Sequence, residues 1–112
     1  MEKLIPDYPG YSVTDDGKIF GKKDECLSQY KRPDGYLEVG LYKKTNNKFH
    51  RDKWLVHQLV AFFFLPDEEA EKLRESCFVV NHKNGKKDDN RVENLEVITF
   101  SDNTKHAWKE NL

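Results

Sequence analysis

Cysteine is too scarce in this sequence to build a site or a scaffold. The two present, Cys26 and Cys77, stand far apart and in no Cys-x-x-Cys pair. That excludes a zinc knuckle and a disulfide framework, leaving buried or idle thiols as the expectation. Long apolar stretches are missing too. No run of roughly eighteen apolar residues occurs, and the opening MEKLIPDYPG has no apolar core of a secretion signal. A soluble, cytoplasmic protein without membrane contact is therefore expected. Net charge is also nearly absent, at −1, so the chain as a whole offers nucleic acid no default attraction.

What is present suits one folded domain. A chain of 112 residues that is 37% hydrophobic and 12% aromatic can bury a modest core and is not disordered by composition. Its charge is unevenly distributed. Residues 22–53 hold nine Lys/Arg against five Asp/Glu, a local +4, whereas residues 67–75 hold two against five, a local −3. A basic DNA-facing surface with an acidic back is one reading. Ordinary solvated charge is the other, and charge alone favours it.

The first half reads as antiparallel β. Tyr11-Ser12-Val13 and Lys18-Ile19-Phe20 flank an Asp15-Asp16-Gly17 turn and predict a small hairpin. Pro33-Asp34-Gly35 is a further turn. After it, Leu37, Val39 and Leu41 alternate with Tyr36, Glu38, Gly40 and Tyr42, the period of a half-buried strand. Residues 49–54 should return as its partner past the tip at residues 45–48. From Trp54 the period becomes helical, with Leu55, Leu59, Phe62 and Phe63 on one stripe up to Leu65-Pro66. Phe62, Phe63 and Phe64 are expected in the core. Residues 67–74 predict a second, short, charged helix.

Residues 79–106, VVNHKNGKKDDNRVENLEVITFSDNTKH, concentrate the chemistry. A β-branched run reaches Asn81-His82, a polar loop follows, and Leu95, Val97 and Ile98 form a second apolar run. Thr99 with Asp102 reads as a helix cap. The predicted order is strand, loop, strand, helix, with His82, Asn94 and Asn103 at its three junctions. The residues Val80-Asn81-His82, Gly85, Asn90, Asn94-Leu95, Thr99 and Asn103 resemble the zinc-less HNH endonucleases of phages and mobile introns. Upstream, Ile5-Pro6, Gly10-Tyr11-Ser12-Val13, Gly17-Lys18-Ile19, Asp34-Gly35-Tyr36 and residues 56–62 resemble the nuclease-associated modular domain. There Gln58 stands where that family usually has Arg.

These resemblances imply an α+β chain with an N-terminal antiparallel β region, central helices and a C-terminal ββα-metal unit. Within a single domain, residues 1–53 would form the β-rich, DNA-binding-like subregion, 54–76 a helical connector and 77–112 the nuclease motif. The implied activity is nicking or cleavage of double-stranded DNA, leaving 5′-phosphate and 3′-hydroxyl ends, by a monomer or homodimer. His82 is the candidate general base, because neutral imidazole accepts a proton near pH 7. Asn94 would hold the loop that presents it. Asn103 and Asn81 are candidate ligands for one divalent cation, magnesium or manganese, with no structural zinc; the family often has Asp at the Asn81 position. Asp88 and Asp89 would assist the metal or lie in a solvated loop. Lys83, Lys86, Lys87, Arg91 and His106 are candidate DNA contacts. Asn90 reads as a turn residue, and His57 as a hydrogen-bonded structural histidine. The alternative is an HNH-fold DNA-binding or protein-interaction module without catalysis.

Overall fold

The computed structural model describes residues 1–75 and 77–99. Among these residues three small antiparallel sheets surround one helix. Strands β1 (Glu2–Leu4), β2 (Ser12–Thr14) and β3 (Ile19–Phe20) form the first, in that order. Strands β4 (Tyr30–Lys31), β5 (Leu37–Thr45) and β6 (Lys48–Leu55) form the second, and β7 (Phe78–His82) with β8 (Leu95–Thr99) the third. The predicted hairpins are present. Val13 pairs with Ile19 across the turn at residues 15–17, and Val39 pairs with Trp54 in the long β5–β6 ribbon. The alternation read from the sequence holds at the core, where Val39 and Leu41 are buried and Tyr42 is exposed. At the ribbon tip, Asn46 and Asn47 both take positive φ, 50° and 63°, which Asn tolerates better than most residues.

The ribbon runs one residue further than the sequence suggests, so helix α1 spans Val56–Phe64 and Trp54 belongs to β6. Helix α2 follows over Asp67–Lys72, with three acidic residues in its first turn, where the helix dipole favours them. Helix α1 is the hub: it touches β2, β5, β6, β7, β8, α2 and the 3-10 turn Val92–Asn94. Its Val56, Val60 and Ala61 are fully buried, in one cluster with Val13, Ile19, Leu41 and Leu95. Phe62 departs from expectation. It is 44% exposed, because a stripe as wide as three consecutive residues cannot face one core, while Phe63 and Phe64 pack at its edge. The cysteines are idle rather than buried, since both are exposed. Among the described residues no helix is long and apolar enough to cross a membrane. The expected cap at Thr99 and Asp102 and the helix after it lie outside the described residues.

Candidate active site

The polar loop between β7 and β8 closes over the end of a regular ladder, in which Asn81 faces Glu96 and His82 faces Leu95. Asn94 organises this loop. Its side-chain amide donates to the Asp89 carbonyl at 2.9 Å and to Asn84 Oδ1 at 3.0 Å, and its Oδ1 accepts from the Asn84 backbone N–H at 3.1 Å. Lys83 N–H reaches the Asn94 carbonyl, and Gly85 N–H the His82 carbonyl. Gly85 turns the chain with φ of 76°, a conformation that strains most side chains. Arg91 grips Asp89 through two bonds of 2.8 Å. These bonds, with one from Asn84, hold the Asp89 carboxyl well below the usual carboxylate range.

His82 is buried at the end of β7 with Nε2 2.7 Å from Asn90 Oδ1. Around it stand His57 from α1 and Tyr36 from the turn before β5, with ring centroids at 5.0 and 5.9 Å. Tyr36 also lies 5.0 Å from His57, so the three rings form one group. Burial lowers the pKa of His82, against the raising effects of Asn90, Asp89 and Asp88. Burial first, then the neighbouring His82, depress His57 from 6.5 to about 4. Both imidazoles are therefore neutral at pH 7. Among the described residues, His57 Nδ1 and Asn90 Nδ2 are buried without a hydrogen-bond partner. That corrects the expectation of a hydrogen-bonded His57, whose ring is held by aromatic packing. It also moves Asn90 from turn residue to buried neighbour of His82.

The N-terminal half reaches into this loop from two turns. Val92 N–H donates to the Asp15 carbonyl at 2.8 Å, and Gly17 abuts Asn90 closely enough that an added Cβ would lie 3.1 Å from Asn90 Cβ. From the other turn, the Asp34 carbonyl accepts from Lys87 Nζ at 2.9 Å, and the same ammonium sits 4.9 Å from the Tyr36 ring centroid. Lys31 approaches Asp88 at 3.8 Å. Of the candidate DNA contacts, Lys87 and Arg91 thus already hold protein partners. Lys83 and Lys86 are exposed, with no side-chain ion pair among the described residues. Asn81 is buried and donates from Nδ2 to Glu96 Oε1 at 2.9 Å, which leaves its Oδ1 as the uncommitted atom. Asn103 and His106 lie outside the described residues.

The profile of a family described as HNH endonuclease matches residues 55–105. An uncharacterised HNH endonuclease, L247 of Acanthamoeba polyphaga mimivirus, is 38% identical over 96% of this chain and 25% of its own length. A protein of Bacillus subtilis named as an SPbeta prophage-derived HNH homing endonuclease is 37% identical over all of this chain and 60% of its own. The solved structure of the HNH homing endonuclease I-HmuI, described as binding and cleaving DNA, superposes with a TM-score of 0.79 at 30% identity. It is matched over 99% of this chain and 59% of that one. Residues 55–105 belong to the HNH endonuclease family. The chain spans between a quarter and three-fifths of the length of these curated relatives.

The HNH profile begins at residue 55, so it takes in α1 and His57 as well as the β7–β8 loop. Three residues near His82 or Asn81 escape a reading of the motif alone, Tyr36, His57 and Glu96, while Asn90 stands in the motif but reads there as a turn residue. Tyr36 and His57 carried a signal through the modular-domain resemblance, and His57 also as a lone imidazole on an apolar helix face. Tyr36 sits on the side of its strand that alternation assigns to water, and Glu96 looks like an ordinary exposed strand residue.

Proposed function

We propose that this chain hydrolyses phosphodiester bonds in double-stranded DNA, with His82 as general base and one divalent cation, magnesium or manganese. The observation that carries the reading is the state of His82: a buried, neutral imidazole, anchored through Nε2, inside an HNH motif. A neutral ring has a lone pair with which to take a proton from the attacking water. Asn94 holds the loop that fixes His82 against β8. The donors near Asn81 suit a hard cation: the carboxamide Oδ1 of Asn81 and the Glu96 carboxylate are oxygens. Among the described residues no group of three or more His, Cys, Asp or Glu could hold a metal ion by itself, so the phosphate of bound DNA would complete the site. Asn81 and Asn103 would hold the ion, which when bound polarises the phosphate and stabilises the leaving oxygen.

In this reading residues 1–53 form the DNA-contacting subregion, 54–76 a connector and 77–112 the nuclease segment. The exposed Lys44, Lys48, Arg51 and Lys53 of the β5–β6 ribbon, with Lys83 and Lys86 of the loop, supply phosphate contacts. One site cuts one strand, so a monomer nicks, and a double-strand break needs a dimer or a second event. The test is supercoiled plasmid incubated with magnesium or manganese, read as relaxed circles. His82→Ala should lower the rate by about 10²–10⁴ while leaving the fold intact. Nicking within a few-fold of wild type in that variant would remove His82 from the role. The near-neutral charge and an Asn, not an Asp, at position 81 support a second reading, an HNH-fold DNA-binding or protein-interaction module without catalysis. Absence of metal-dependent relaxed circles with the wild-type chain would decide for it.

A further inference from the structure

We propose that Asn90 is a positioning residue: its side-chain oxygen accepts Nε2–H of His82, leaving Nδ1 as the nitrogen that takes the proton, and the turn at residues 15–17 braces it. The inference deepens the reading of His82 as general base and rests on it. A neutral imidazole has one N–H and one lone pair, on different nitrogens. At 2.7 Å from Asn90, Nε2 is committed. Among the described residues Nδ1 has no partner, so the lone pair needed for water must lie there. That requires the hydrogen on Nε2, and hence an acceptor in front of it, which Asn90 Oδ1 is. Were the amide turned round, Nδ2 would donate to Nε2, the hydrogen would sit on Nδ1, and the one lone pair, on Nε2, would be spent on Asn90.

The bonding of the two loop asparagines separates this role from a structural one. Asn94 spends its whole side chain on the loop, with bonds to Asn84 and to the Asp89 carbonyl. Asn90, 4% exposed, makes one side-chain bond among the described residues, to His82, and leaves Nδ2 buried and unpartnered. An orphaned buried amide is unfavourable, and here it is not offset by any bond to the loop. The backbone on both sides is fixed instead. Asn94 holds the carbonyl of Asp89, the Asp15 carbonyl holds Val92 N–H, and Gly17 closes on Asn90 Cβ and its carbonyl. Gly17 has φ of 90° and no side chain, so the first sheet can press directly on the residue that aims the base.

The experiment reads the ring nitrogens of His82 by long-range proton–nitrogen NMR on the full chain without metal or DNA, assigned against His82→Ala. The wild type should show the Nε2–H tautomer with a slowly exchanging ring hydrogen. Asn90→Leu should lose that protected signal and lower kcat for plasmid nicking by about 10–100-fold with KM unchanged. Asn90→Asp, which keeps an oxygen in place, should retain the signal and recover most of the lost kcat. A wild-type Nδ1–H tautomer overturns the proposal, as does an Asn90→Leu variant with unaltered ring signal or a changed KM in place of kcat. If the leucine variant does not fold, the wild-type tautomer and the aspartate variant decide by themselves. If the wild type never nicks, the assigned function fails, whereas the tautomer still tests the Asn90–His82 geometry.

Discussion

Acid should destabilise this protein through His57. The ring is 5% exposed, packed 5.0 Å from both Tyr36 and His82, and held at a pKa of about 4 against an ordinary 6.5. As pH falls below 6.5, the unfolded chain takes up a proton at His57 that the folded chain refuses until about pH 4. The unfolded state then binds more protons, so stability falls with pH across that window. The loss from this one group is about 1 kcal/mol at pH 5.5 and about 2–3 kcal/mol at pH 4.5. His82, lowered by burial, adds to it in the same direction. The assay is urea unfolding of wild type and His57→Leu at about pH 7.5, 5.5 and 4.5. The leucine variant starts from a different stability at neutral pH, but its loss on acidification should be smaller by about 2 kcal/mol. The same loss in both proteins would refute the assignment of a buried neutral imidazole.

Gly17→Ala should lower stability by ~1–3 kcal/mol, because it forces a side chain into φ of 90° and against Asn90; a melt indistinguishable from wild type would remove the turn from its bracing role. DNA affinity should weaken with salt, and Lys83→Ala or Lys86→Ala should each flatten the slope of log affinity against log salt by about 0.9. Arg91→Ala should leave that slope alone, because its charge is already matched by Asp89; an equal flattening would show that Arg91 leaves its partner for phosphate. Asn81→Asp would set a carboxylate against Glu96, so it should destabilise the metal-free chain and enlarge the rise in melting temperature on adding magnesium. Equal magnesium shifts in both proteins would take Asn81 out of the metal site.

Most of the fold was legible because its long elements repeat with a clear period. Leu37, Val39 and Leu41 give β5 away, and Leu55, Leu59 and Phe63 give α1. Strands β1 and β4 have three and two residues, too short to carry a period, and they exist because β2 and β5 offer them an edge. The site was legible in its local part only. His82, Asn81 and Asn94 stand out because one loop needs them in order. Tyr36 and His57 join His82 through packing between distant segments, which spacing does not encode. Asn90 misleads for a different reason. An Asn between Asp89 and Arg91 in a polar loop reads as a turn residue, and the approach of residues 15–17 helps to bury it. Arg91 and Lys87 read as free cations until Asp89 and the Asp34 carbonyl are seen beside them.

The same pairing explains how a chain of net charge −1 keeps a basic face, the surface proposed above to meet DNA. Much of the acid near the site is occupied: Asp34 faces Arg32, Asp52 faces Lys43, Asp88 faces Lys31 and Asp89 faces Arg91. A further block of acid, Asp67, Glu68 and Glu69, stands in the first turn of α2, where it serves the helix dipole. The remaining cations of the β5–β6 ribbon and of the β7–β8 loop stand exposed. At physiological salt a charge is felt over about 8 Å, a small part of a molecule extending 47 Å along its longest axis. A phosphate near the ribbon therefore responds to the lysines and arginine beside it, and the sum over the whole chain does not reach it.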